Sequence, residues 1–132
     1  MRLPNGRFSE MTHNLLYGLL MGGDAIGFER LIIDSDLIPK KFGEVPDNAR
    51  YALIVLEADA TSKADITCRY LQAPPKFDQA SGLYIEQLSV TVGMPLDHKA
   101  ITEIKDVENL KNFRILNTEP GKINLLMVEY FG

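Results

Sequence analysis

The chain has 132 residues, of which 45% are hydrophobic and 24% charged, with a net charge of −4. That length suits one domain with a core, and the acidic balance excludes general binding to a phosphate backbone, which wants clustered Lys and Arg. A single cysteine, Cys68, excludes an internal disulfide and a multi-cysteine zinc site.

In chain order, "MRLPNGRFSEMTHN" (residues 1–14) is polar and reads as an N-terminal arm or a loosely held edge, with lying across a neighbouring subunit and fraying in solvent as the alternatives. It lacks the apolar core of a secretory signal, and "LLYGLLM" (Leu15 to Met21) is too short to span a bilayer, so no membrane association is expected. Residues 15–132 are expected to form the single folded domain. Two apolar runs, Leu15–Met21 and Ala25–Ile33, flank Gly22-Gly23-Asp24 and predict a hairpin, with a short helix at 14–21 as the alternative. Two prolines and a glycine make Leu37 to Asn48 a loop.

"ARYALIVLEAD" (Ala49 to Asp59) is the strongest strand signal. Its centre is apolar on both faces, as in a strand covered from two sides. A strand over Ile66 to Gln72 sends Ile66, Cys68 and Tyr70 one way and Thr67, Arg69 and Leu71 the other. Adjacent prolines make "APPKFDQASG" a loop. "LYIEQLSVTV" (Leu83 to Val92) is strand-like in one or two pieces, and "GMPLDHKA" reads as a corner. There Gly93 supplies an unusual backbone angle and Pro95 stops ladder pairing. Ile101 to Val107 alternates, "ENLKN" suits a helical turn, "FRILNT" a short strand, "EPGK" a turn, and "INLLMVEYF" a long final strand.

Seven to nine short strands with frequent turns predict an all-β fold: an antiparallel β-sandwich or jelly-roll-like domain behind the arm. An α+β domain with Asn14–Met21 helical is the alternative.

The chemistry-bearing residues are sparse. His13 and His98 are the only histidines, and Asp97 beside His98 would point to the opposite face in a strand, so no metal site is expected. Glu57 and Asp59 mark the end of a strand, and Asp34 and Asp36 lack the glycine and terminal glutamate of a calcium loop. "GGDAIG" lacks the Gly-Lys-Ser/Thr ending of a phosphate loop, and none of Ser9, Ser35, Ser62, Ser81 or Ser89 stands in a Gly-x-Ser-x-Gly elbow. Cys68 reads as a small buried hydrophobe. No catalytic residue, cofactor or metal is therefore expected. The apolar last strand is read as either interior to a sheet or covered by a partner subunit, because as an open edge it carries only Glu129 against unwanted pairing. Candidate interface residues are Tyr84 and Glu86 beside the 73–82 loop, and Leu126, Val128 and Tyr130 in the last strand.

"ARYALIVLEAD", "RY", "VGMPL", "ENLKNFRIL" and "LLMVEYF" occur in that order from Ala49 to Phe131. The order resembles a family of small proteins encoded in tailed-bacteriophage genomes and prophages. The matching positions are Ala49, Arg50, Ala52 and Glu57; Arg69; Gly93 to Leu96; Asn109, Leu110, Phe113 and Arg114; and Val128 with Tyr130. The family usually has a short Asp-Gly and Pro-Thr loop where this chain has the longer "LQAPPKFDQASGLYIEQLS", which suggests a loop elaborated for a particular contact. The resemblance implies a non-enzymatic virion component of capsid, neck or tail, assembled in the cytoplasm of a bacterial host. Its expected partners are further copies of the chain and other virion proteins. The alternatives are a β module binding carbohydrate or a small ligand, and a small jelly-roll or cupin-type enzyme, for which two distant histidines are a poor start.

Overall fold

The computed structural model describes residues 24–57, 66–96 and 100–132. The 1–14 arm, the Leu15–Met21 half of the expected hairpin with its helical alternative at 14–21, Asp59, and the Asp97-His98 corner lie outside these residues. The regular secondary structure of the described residues is almost entirely antiparallel β, as the turn spacing predicts. Its strands are β1 (Ala25–Ile33), β2 (Tyr51–Glu57), β3 (Cys68–Leu71), β4 (Lys76–Asp78), β5 (Leu83–Ile85), β6 (Met94–Leu96), β7 (Ile101–Lys105), β8 (Arg114–Asn117) and β9 (Asn124–Phe131). One helix of six residues, α1 (Val107–Asn112), joins β7 to β8.

Among the described residues three sheets form: a four-stranded one in the order β1-β9-β2-β7, a three-stranded one in the order β6-β3-β8, and the β4-β5 ribbon. β2 is buried over six consecutive residues, Tyr51 to Leu56, with β9 and β7 along its edges and packed side chains on both faces. Ala52, Ile54 and Leu56 face the main core, while Tyr51 and Leu53 cluster with Phe131 on the opposite face. The main core takes Ile33, Ile54, Leu126, Val128 and Tyr130 from the four-stranded sheet and Cys68, Tyr70, Leu96 and Ile115 from the three-stranded one. A backbone bridge from Lys40 to Ile115 (2.8 and 3.0 Å) binds the connecting loop to the edge at β8.

A buried polar knot ties the sheets where β8 ends. Asn117 Nδ2 lies within hydrogen-bonding distance of the carbonyls of Ile33 (3.1 Å), Asp34 (2.9 Å) and Lys122 (2.6 Å). Its Oδ1 accepts from Asn124 Nδ2 at 2.6 Å and from the Cys68 thiol at 3.3 Å. Each buried amide is thereby paired, as burial demands. Burial pushes the Cys68 thiol up to about 12, so it stays protonated and acts as a packing and hydrogen-bonding group.

Three elements differ from the sequence pattern. The 73–82 stretch is not an open loop: its Lys76–Asp78 segment pairs with Leu83–Ile85 as a hairpin. Strand structure then stops at Ile85 rather than running on to Val92. The Gly-Met-Pro-Leu corner contains strand β6, in which Pro95 stands opposite Arg69 within the ladder. β6 is an edge strand, so the missing N–H of Pro95 is tolerated there.

Gly93 does adopt the predicted unusual angle, with φ at +137°. A Cβ there would stand 2.6 Å from Leu88 Cδ1 and 3.2 Å from the Tyr70 carbonyl oxygen. Gly93→Ala is therefore expected to lower stability by about 2 kcal/mol, from backbone strain plus overpacking, read as a lower urea midpoint at unchanged slope.

Candidate functional site

The departure from regular packing is the β4-β5 ribbon. Pro74 and Pro75 end pairing before it. Its turn is locally built: Asp78 Oδ1 accepts from the Ala80 amide at 3.3 Å, the Gly82 amide donates to the Asp78 carbonyl at 2.8 Å, and Ser81 Oγ accepts from the Leu83 amide at 3.3 Å. Gly82 supplies the positive φ of +71° that reverses the chain. Phe77 pairs with Tyr84, and their rings meet edge-on at 5.1 Å.

A two-stranded ribbon is marginal by itself, and Arg114 ties the two ends of this one to β8. Arg114 begins β8 and is only 1% exposed. Its Nε and Nη2 donate to Glu86 Oε2 and Oε1 at 2.8 and 2.6 Å, a two-pronged pair. Its Nη1 donates to the carbonyls of Asn112, at 2.7 Å, and of Ala73. Ala73 precedes the ribbon and Glu86 follows it, so one guanidinium grips both ends of the excursion. Glu86 Oε1 also accepts from the Leu88 amide at 2.9 Å. The hydrogen bonds from Arg114 hold the Glu86 carboxyl below its usual range. The clamp is therefore intact above the ordinary glutamate pKa and is lost as pH falls through the depressed one. Arg69 on β3 holds the return: its Nη1 donates to the Gly93 carbonyl at 2.9 Å and its Nε to the Val90 carbonyl at 3.3 Å.

What the clamp presents is apolar. Leu83 and Tyr84 are 65% and 71% exposed, and Phe77 and Ile85 are each 48% exposed. Opposite registration places Phe77 with Tyr84 on one face of the ribbon and Leu83 with Ile85 on the other. Both faces thus carry large hydrophobes in solvent, a pattern that marks interaction surfaces. A shallow cavity of about 250 Å³ lies against it, lined by Lys76, Phe77, Asp78, Ile85 and Gln87. A second, of about 310 Å³, is lined by Arg50, Tyr51, Glu103, Lys105 and Asp106.

No family model, curated protein or solved structure matches the chain.

The five residues singled out in the sequence separate into three groups. Tyr84 stands on the exposed ribbon. Glu86 borders it, but its carboxylate is engaged by Arg114. Leu126, Val128 and Tyr130 are each 0% exposed, because they pack in the main core with Tyr70, Leu96 and Ile115, so their side chains leave no surface for a neighbour. Tyr130 is held from inside: its hydroxyl donates to Glu29 Oε1 at 2.9 Å, and Glu29 also accepts from the Gly43 amide. Among the carboxylates, Glu57 is exposed at the end of β2, and Asp34 and Asp36 both pair with Lys40. Among the described residues, no three of His, Cys, Asp or Glu stand close enough to hold a metal ion, and no helix is long and apolar enough to cross a membrane.

Phe77 and Leu83 fall within the stretch that the sequence marks as elaborated for a contact, without being named there, and Arg114 as its clamp is the addition. One signal was present for Arg114: an arginine inside "NFRILN" interrupts an otherwise apolar strand, and a buried guanidinium requires partners elsewhere in the chain.

Proposed function

We propose that the chain is a non-enzymatic structural protein that works through protein–protein contacts, as a component of a bacteriophage virion. The observation that carries the protein-contact reading is the clamped ribbon, which holds four large hydrophobes in solvent. A guanidinium and a carboxylate are committed to fixing its base, which is what a presented contact element needs: apolar side chains held in place before binding. The motif order from Ala49 to Phe131 supports the virion assignment, and the longer ribbon region is where the chain departs from its resemblance.

We read the two larger sheets as the layers of an antiparallel β-sandwich of jelly-roll type. Support comes from a core cluster that draws on both sheets, together with the antiparallel pairing throughout. On this reading assembly takes place in the cytoplasm of a bacterial host and the mature location is the virion.

A second reading, a carbohydrate- or small-ligand-binding module, is favoured by the cavity beside the ribbon, where an aromatic ring adjoins Asp78, Lys76 and Gln87. Light scattering after size exclusion, across a range of concentrations, separates the two when paired with a glycan array. A closed assembly that is lost in Tyr84→Ser, with no glycan bound, is the expected result. A monomer that binds a glycan through Phe77 and Tyr84 would overturn the structural reading in favour of the module.

A further inference from the structure

We infer that the partner of the ribbon is the same ribbon in a second copy of the chain, joined β4 to β4 across a two-fold axis at Phe77. The inference rests on the protein-contact reading above and deepens it. Among the described residues β4 pairs with β5 alone, which leaves its other edge open. That edge is short and bounded. Pro74 and Pro75 have no N–H to extend a ladder, and the chain turns after Asp78, whose carbonyl accepts from the Gly82 amide. Only Lys76, Phe77 and Asp78 can pair.

A symmetric antiparallel ladder over three residues has one centred register. Phe77 then faces Phe77 of the second copy, Lys76 faces Asp78, and Asp78 faces Lys76. Both charge pairs are opposite in sign, so the edge is complementary to itself, as a two-fold interface requires. The β5 edge, Leu83-Tyr84-Ile85, is apolar and carries no charge to set its register. Joining β4 to β4 converts two marginal ribbons into one four-stranded sheet and passes the three-strand threshold for stability. It also brings the exposed Phe77 and Tyr84 of both copies onto one continuous face, and their Leu83 and Ile85 onto the other.

The test is a charge swap followed by mass measurement. Wild type is expected to dimerise to twice the chain mass of 14.8 kDa. Lys76→Glu sets a carboxylate against Asp78 at both ends of the ladder and should weaken the dimer at least about tenfold, with Asp78→Lys doing the same through paired lysines. An equimolar mixture of the two variants restores opposite charges at every position and should recover the dimer. Asp78→Lys also removes the turn bond to Ala80, so circular dichroism of each variant, and the mixture itself, guard against a folding defect. Wild-type assembly that neither variant weakens, or a mixture that fails to recover, would overturn the β4 register while leaving protein contact as the function. A wild-type monomer at every concentration would overturn pairing with a second copy. Failure of the underlying reading has a separate signature, a glycan bound at the ribbon.

Discussion

Arg114→Ala is expected to lower stability by about 3 kcal/mol and to release the ribbon. Arg114 is 1% exposed and its removal strands three acceptors: the Glu86 carboxylate and the carbonyls of Ala73 and Asn112. Breaking a buried ion pair from one side costs about 3–5 kcal/mol. The Glu86 side chain is 32% exposed and regains water, which places the estimate at the low end. Glu86→Gln leaves both carbonyls satisfied and should cost about 1 kcal/mol, as a charged hydrogen bond becomes neutral. Arg114→Lys should fall between them, since an ammonium offers no planar fork. Urea unfolding gives the ordering. Amide exchange gives the location: protection over 76–85 should disappear in Arg114→Ala, while β9 loses only the global difference. An alanine variant with wild-type stability and a protected ribbon would mean the clamp contributes nothing.

That single side chain also shows where the sequence was legible and where it was not. β2 and β9 were readable because a run of apolar residues longer than a turn has few places to go except between other strands. The position of β9 was not. "LLMVEYF" fits an edge covered by a partner as well as an interior strand, and only the pairing of β9 with both β1 and β2 separates the two. Leu126, Val128 and Tyr130 therefore carried the same signal as contact residues and as core. The ribbon was hidden for the opposite reason. β4 and β5 are three residues each: Lys-Phe-Asp alternates over too short a run to mark a strand, Leu-Tyr-Ile does not alternate at all, and Pro74-Pro75 and Ser81-Gly82 dominate the local pattern. Pro95 misled because the rule against proline in a ladder applies to interior strands, and strand order is a long-range fact. The Arg114–Glu86 partnership spans 28 residues and belongs to the same class of information.

Glu129 carries the second large effect. It lies on β9 opposite Leu53 and Phe28, on the face of the four-stranded sheet that also holds Met127 and Phe131. It is 8% exposed, and its Oε1 finds no hydrogen-bond partner among the described residues. Arg30 of β1 stands opposite Met127, and Glu103 of β7 stands opposite Leu53, so charged groups stand on this face but not directly opposite the carboxyl. Burial raises its pKa from the ordinary 4.5 to about 7. The folded chain thus holds a proton that the unfolded chain releases between those values. Stability from this group is complete below pH 4.5, declines as pH rises, and is lost above about 7. A rise of that size corresponds to a change on the order of 3 kcal/mol. Glu129→Gln keeps the shape of the protonated carboxyl and cannot ionise. Urea unfolding of both proteins from pH 5 to pH 8 should therefore give nearly equal stabilities at the acid end. At the alkaline end the glutamine variant should be the more stable, by most of that difference. Groups that titrate in both proteins cancel in the comparison, so a gap that stays constant with pH would show that Glu129 ionises normally in the folded chain.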